Sequence, residues 1–167
     1  MTSAFDDLLA ANRTYAEHHA LKGFDGIAHA GVAMVTCMDS RIDPLRMIGL
    51  EPGDAKILRN PGGRVTDQVL VAVVLGVTLL KVQRVMIVEH TRCAMAGSTE
   101  DELHERIAER TGTDATWMSL GAINDQERTI REDVHRVRSH PLVPADINVG
   151  GFVYDVDTGL LSPVAEA

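Results

Sequence analysis

Residues 31 to 41 read Gly31-Val32-Ala33-Met34-Val35-Thr36-Cys37-Met38-Asp39-Ser40-Arg41. The first six are nearly all apolar and do not alternate with polar residues, which is the pattern of a short strand buried on both faces. At Cys37 the apolar run stops and chemically capable side chains begin. Three further runs behave in the same way. Ala55 to Leu58 ends at Arg59-Asn60-Pro61-Gly62-Gly63, a cluster that reads as loop because proline and paired glycines break both ladders and helices. Arg84 to Val88 ends at Glu89-His90, and Gly151 to Tyr154 is followed by the turn Asp155-Val156-Asp157-Thr158-Gly159 and a short return through Leu160 and Leu161.

Helical patterns fill the intervals. Phe5 to His18 is amphipathic, with Phe5, Leu8, Leu9 and Tyr15 on its apolar side. Asp43-Pro44 has the form of a helix start, a capping carboxylate with proline at the first helical position. Thr66-Asp67 opens an apolar helix that ends near Lys81. Thr99 and Glu102 have capping-box spacing ahead of Leu103 to Arg110, and Asn124 to Glu127 repeats that spacing ahead of a helix that stops before Pro141. Strands that alternate with helices predict an α/β fold, a central mainly parallel β-sheet flanked by helices, in one domain spanning residues 1–167.

Composition narrows the function. The chain has 167 residues, and 24 acidic against 16 basic side chains give a net charge of -8, which argues against nucleic acid or an anionic membrane surface as partner. The first twenty residues lack the basic segment and continuous apolar stretch of a signal peptide. The longest apolar run, Val69 to Leu80, is too short to span a membrane. A soluble, cytoplasmic protein is expected.

Against that background Cys37, His90 and Cys93 stand out. Zinc accepts thiolate sulfur and imidazole nitrogen in a tetrahedron, and three protein ligands leave a corner for water. With only two cysteines in the chain, a site of three or four cysteines is excluded. A disulfide and two unrelated core cysteines are the competing accounts. Cytosolic chains rarely keep disulfides, and no C-x-x-C pair is present; free cysteine is often simply buried. Placement decides among these readings. In open α/β sheets ligands bind beyond the carboxyl ends of the strands, and Cys37, the Arg59 to Gly63 loop and His90 all fall there, which favours a metal.

Cys37-Met38-Asp39-Ser40-Arg41, followed much later by His90-Thr91-Arg92-Cys93, resembles the β-class carbonic anhydrases. The similarity extends to Arg59-Asn60 before a glycine, the Thr66-Asp67 helix start and Gly151-Phe152-Val153-Tyr154-Asp155. It implies one zinc ion per chain on Cys37, His90 and Cys93, with Asp39 and Arg41 as the catalytic dyad beside it. It also implies a homodimer or higher homo-oligomer, with the N-terminal helix, about residues 5–18, packing on a partner subunit. The implied reaction is the reversible hydration of carbon dioxide to bicarbonate and a proton, a lyase activity. Hydrolysis of carbonyl sulfide or carbon disulfide at the same site is the enzymatic alternative, and a zinc-binding homologue without catalysis is the third reading.

The chemistry of these residues supports the resemblance. Zinc brings the pKa of bound water to about 7, and Asp39 can accept a hydrogen bond from the resulting hydroxide while Arg41 holds the carboxylate with a two-pronged guanidinium. Released from Arg41, Asp39 can instead take the fourth zinc position and close the site. Gly62 and Gly63 either bring the loop backbone close to the site or form a plain turn. The remaining histidines, among them His29 and His104, read as solvated surface residues, and Trp117 and the methionines as core or interface packing. The chain departs from similar sequences at Ala94, Arg92 and Pro61, and Ala28 stands where plant-type members carry a substrate-polarising glutamine. These positions bear on the pocket wall and leave the ligands intact.

Overall fold

A computed structural model describes residues 3 to 165. The apolar runs become β1 (Val32–Cys37), β2 (Ala55–Asn60), β3 (Arg84–His90) and β4 (Asn148–Tyr154), which lie in the order β2-β1-β3-β4, all parallel. The return strand β5 (Leu161–Ala165) adds to β4 antiparallel and closes that edge. Every residue of β1 is buried, as expected of a strand between two others and beneath helices.

The helices are α1 (Asp6–Glu17), α2 (Asp67–Leu79), α3 (Glu100–Thr111) and α4 (Gln126–Arg138). One face of the sheet, through Ala33, Val35, Val85, Ile87 and Val149, forms a single core with Val69 and Val73 of α2 and Ile130, Val134 and Val137 of α4. Each fully buried aliphatic side chain there stabilises the fold by about 1.5–3 kcal/mol relative to exposure. The α1 helix contributes nothing to this core, because none of its residues is buried and Leu8, Leu9 and Tyr15 are all more than half exposed.

The expected helix starts hold at two places. The Thr66 hydroxyl accepts from the backbone N–H of Val69, and Thr99 with Glu102 forms a complete capping box. Elsewhere the structure corrects the sequence reading. Asp43-Pro44 opens no α-helix; a turn and one short 3-10 segment, Arg46–Ile48, end at Gly49, which has φ +71°. The cap of α4 is Asp125, whose side chain accepts from the N–H of Arg128, and Asn124 lies outside it. Arg59 and Asn60 are strand residues, paired with Thr36 and Cys37, so the loop begins only at Pro61. β3 includes Glu89 and His90, and β4 begins at Asn148, three residues before the apolar run suggests. His104 is buried, with its Nε2 2.7 Å from the Met118 carbonyl oxygen, whereas Trp117 is 75% exposed.

Candidate metal centre

Three segments meet at the carboxyl edge of the sheet. β1 and β3 are adjacent and in register from Val32 opposite Arg84 to Thr36 opposite Val88, so their last residues, Cys37 and His90, emerge side by side. Cys93 follows on a turn in which the N–H groups of Ala96 and Gly97 donate to its carbonyl at 3.1 and 3.0 Å. The two sulfurs are 3.9 Å apart, both thiols are free, and the ligand atoms of all three residues lie within 4.8 Å of one another. The disulfide account is therefore not realised, and the cysteines are a pair at one place.

The imidazole shows which atom faces the cluster. His90 Nδ1 lies 2.9 Å from the Thr91 carbonyl oxygen, an acceptor, so Nδ1 carries the proton and donates it. Nε2 then offers a lone pair, and it is fully buried with no hydrogen-bond partner among the described residues. Burial, the largest effect, lowers the pKa of His90 and favours the neutral ring that a metal requires. Burial also pushes the Cys93 thiol up to about 11, with the nearby Cys37 sulfur adding to the rise. A divalent cation would reverse that penalty by accepting both sulfurs as thiolates. An orphaned imidazole nitrogen facing two buried sulfurs is a donor set that suits zinc.

Asp39 lies at the margin of this cluster, its Oδ2 3.8 Å from His90 Nε2. Arg41 holds both carboxylate oxygens, Nε to Oδ1 at 2.9 Å and Nη2 to Oδ2 at 2.7 Å, and its backbone N–H also donates to Oδ1 at 2.9 Å. Those hydrogen bonds, the side-chain ones foremost, keep the Asp39 carboxyl well below the usual carboxylate range. The same guanidinium donates to the carbonyl of Arg92 at 3.3 Å. Beneath the dyad, Ile42 packs with Cys37 and Cys93 and with the partly buried Met47, Met95 and Tyr154.

Two residues of the second strand organise this loop in ways that spacing does not reveal. The Arg59 guanidinium donates to three carbonyls of the segment it faces: Cys37 at 3.0 Å, Asp39 at 2.6 Å and Ile42 at 3.3 Å. Asn60 bonds Arg64 in both directions, at 2.7 and 2.8 Å, and ties off the turn through Pro61, Gly62 and Gly63. Gly63, at φ +73°, presses on the strands themselves, since a Cβ there would sit 2.9 Å from the Cys37 nitrogen and 2.9 Å from the Val88 oxygen. Close approach, and not merely a turn, accounts for this glycine.

Glu89 is a further residue that its sequence position gave no reason to single out. It is fully buried beside His90, and neither carboxyl oxygen has a partner among the described residues. Burial raises its pKa to about 8. The nearby Gln126 amide donates to the His90 carbonyl at 3.0 Å. The buried Asp133 carboxylate receives Arg64 Nε and the Val65 N–H, each at 2.8 Å, so α4 is anchored to the turn that follows β2. Ala28 is buried, and the other departures, Ala94 and Pro61, leave the three ligand positions undisturbed.

A family model described as carbonic anhydrase matches residues 32–161. Beta-carbonic anhydrase 1 of Mycobacterium tuberculosis is 35% identical over 163 residues, which cover 95% of this chain and 96% of that protein. A carbonic anhydrase crystal structure from Streptococcus mutans superposes with a TM-score of 0.89 at 36% identity and 99% coverage of both chains. A carbon disulfide hydrolase of an Acidianus species is 30% identical over 167 residues, covering 85% of this chain and 81% of that protein.

Proposed function

The chain belongs to the β-class carbonic anhydrases, and from that premise we propose that it catalyses the reversible hydration of carbon dioxide to bicarbonate and a proton, with one zinc ion held by Cys37, His90 and Cys93. The observation that carries the proposal is the buried, unpartnered His90 Nε2 facing two free thiols, with a carboxylate 3.8 Å away. Zinc, when bound there, supplies the Lewis acidity that makes water a nucleophile near neutral pH.

The side chains of the protein supply the rest. Asp39 stays ionised through the working pH range because Arg41 bonds both its oxygens, so it can only accept a hydrogen bond. An attacking water or hydroxide that donates to Asp39 has its remaining lone pair turned away from the carboxylate, toward an incoming carbon electrophile. Arg41 fixes the direction in which Asp39 points, and Arg59 fixes the backbone on which Asp39 stands. Ile42 and Met95 line the apolar side of the cluster, a surface suited to a small nonpolar gas. Without Arg41, Asp39, whose Oδ2 lies 3.8 Å from His90 Nε2, would be free to serve as a fourth ligand and close the site.

The carbon disulfide hydrolase relative supports a second substrate class, linear molecules such as carbon disulfide and carbonyl sulfide, at the same site. We further propose a homodimer in which α1 packs on the partner subunit, because its apolar side, with Leu8 at 61% exposure and the preceding Phe5 at 63%, is left uncovered by the described residues. No helix among the described residues is long and apolar enough to cross a membrane. Two free thiols at the centre suit a reducing cytoplasm.

The deciding experiment measures metal content and stopped-flow hydration of carbon dioxide together, beside carbonyl sulfide, from about pH 6.5 to 9, where water activated by zinc titrates. About one zinc per chain with rapid hydration that rises toward high pH supports the proposal. Zinc without turnover of carbon dioxide at any pH overturns it, and turnover of carbonyl sulfide alone would assign the second class.

A further inference from the structure

Arg92 has two unusual features. It is one of two non-glycine residues with positive φ among the described residues, at φ +54°, and it lies in the turn between two of the candidate ligands. That backbone conformation directs its carbonyl to Arg41 Nη2, 3.3 Å away. Its own guanidinium reaches away from the site and pairs with the Asp157 carboxylate.

Asp157 belongs to the turn between β4 and β5, and that turn is tied to the Arg92 turn by two hydrogen bonds of Thr91, one through its backbone and one through its hydroxyl. The Thr91 N–H donates to the Tyr154 carbonyl at 2.9 Å, and the Val156 N–H donates to Thr91 Oγ1 at 3.1 Å. Within the turn, the N–H groups of Asp157 and Thr158 both donate to Asp155 Oδ1, at 2.8 and 3.2 Å, so the loop that carries the carboxylate is fixed. Arg41 therefore donates to both Asp39 oxygens and to the Arg92 carbonyl, and Arg92 in turn holds Asp157. Its pKa is raised chiefly by the Asp39 hydrogen bonds, with the Asp157 charge contributing. Asp157 is thus an electrostatic competitor for the cation that holds Asp39, and Arg92 neutralises the competitor.

We propose that Arg92 is a positioning residue, which keeps Arg41 on Asp39 by occupying Asp157 and by giving Arg41 Nη2 a fixed carbonyl acceptor beside Asp39. The proposal rests on the reading that Asp39 and Arg41 work beside zinc. Without the Arg92 side chain, Asp157 draws Arg41 outward, Asp39 loses its clamp for part of the time, and the closed state gains population.

The test is a cycle in the zinc-loaded enzyme at low salt, with Arg92→Ala, Asp157→Asn and the double variant. Alanine leaves the backbone term unchanged, since it meets the same left-handed penalty as arginine. Arg92→Ala is expected to lower kcat/KM at neutral pH by about three- to fivefold, the size an exposed ion pair supports. Adding Asp157→Asn restores it, and Arg92→Lys retains most of the wild-type value. Visible absorption of the cobalt-substituted proteins at one fixed pH supplies a second readout, in which Arg92→Ala moves toward the carboxylate-ligated spectrum and the double variant moves back.

An Arg92→Ala enzyme with wild-type rate and spectrum overturns the proposal. So does a double variant as impaired as the single one, because that marks loss of packing and not release of a competitor. Full hydration activity in Asp39→Asn would instead remove the underlying reading of the dyad, an outcome separable from either.

Discussion

Replacing Gly63 by alanine tests how the turn after β2 shapes the metal centre. The added Cβ would lie 2.9 Å from the Cys37 nitrogen, 2.9 Å from the Val88 oxygen and 3.0 Å from the Thr36 carbonyl carbon, all backbone atoms of the two central strands. Backbone cannot rotate aside as a side chain can, so either the turn lifts or β1 and β3 separate. Overpacking of this kind costs about 1–3 kcal/mol, and the left-handed conformation at φ +73° costs an alanine about 1–2 kcal/mol more. The expected loss is about 2–5 kcal/mol, a large part of the roughly 5–15 kcal/mol that holds a domain together. Gly62→Ala is the matched control. It has nearly the same backbone, φ +78°, but its closest contact, 2.9 Å, is the terminal Cδ1 of Ile123, which can turn away. Only the conformational cost of about 1–2 kcal/mol is then expected.

Urea unfolding of both zinc-loaded variants, at one free zinc concentration because bound metal stabilises by mass action, gives the two losses. Zinc retention against a chelator gives the second readout, because movement of the Cys37 backbone alters the distance from its sulfur to His90. Gly63→Ala should lose more stability than Gly62→Ala by about 1–3 kcal/mol and release zinc faster. Equal losses in the two variants, or wild-type zinc retention in Gly63→Ala, would refute the close-approach reading.

Other variants examine the carboxylates and the unpaired helix. Glu89 binds its proton up to about pH 8 in the folded chain, against about 4.5 for an ordinary glutamate. Its contribution to stability is therefore complete below about 4.5 and is lost as pH rises toward 8. Glu89→Gln removes that slope, so the wild type should lose stability relative to the variant between those limits in unfolding experiments; parallel pH curves would disprove the assignment. Arg41→Ala frees Asp39 to ligate zinc and should reduce neutral-pH hydration by roughly ten- to a hundredfold, as small misplacements of catalytic groups do. Full activity in that variant would sink the clamp argument. Leu8→Glu with Leu9→Glu places charge on the exposed side of α1 and should shift sedimentation of the proposed dimer toward monomer, since neither residue is buried within its own chain; sedimentation identical to that of the wild type would exclude α1 from the proposed interface.

The parts of this molecule that a linear reading recovers are those written in local apolar pattern. β1 and β3 were legible because their apolar runs end in polar, chemically capable residues, and Cys37 and His90 stand at those ends. Thr66 and Thr99 were legible because a cap acts over three residues. Asp43-Pro44 misled for the same reason: the local signal is correct, but Gly49 in the left-handed region stops the chain after a single 3-10 turn. Arg59 and Asn60 misled because a ladder continues through polar residues whenever its neighbour does, and Thr36 and Cys37 supply that neighbour. Buried carboxyls are harder still, since Glu89 and Asp133 are residue types usually found at the surface, and their burial follows from the packing of the sheet and α4 in the folded chain.

What secures the Asp39 carboxylate lies further from any sequence pattern. Asp39 and Arg41 are two residues apart and easily paired on paper, yet that pair is held from outside. Arg59 grips the Asp39 carbonyl from twenty residues away, and the Arg92 carbonyl meets Arg41 from fifty-one away. Both contacts are made to backbone oxygen, which every residue possesses, so neither leaves a mark in residue type at the accepting position. A motif therefore identifies which atoms can do the chemistry. The direction in which Asp39 points, and with it the proposed choice between aiming a nucleophile and displacing it, depends on guanidinium contacts that only the folded chain assembles.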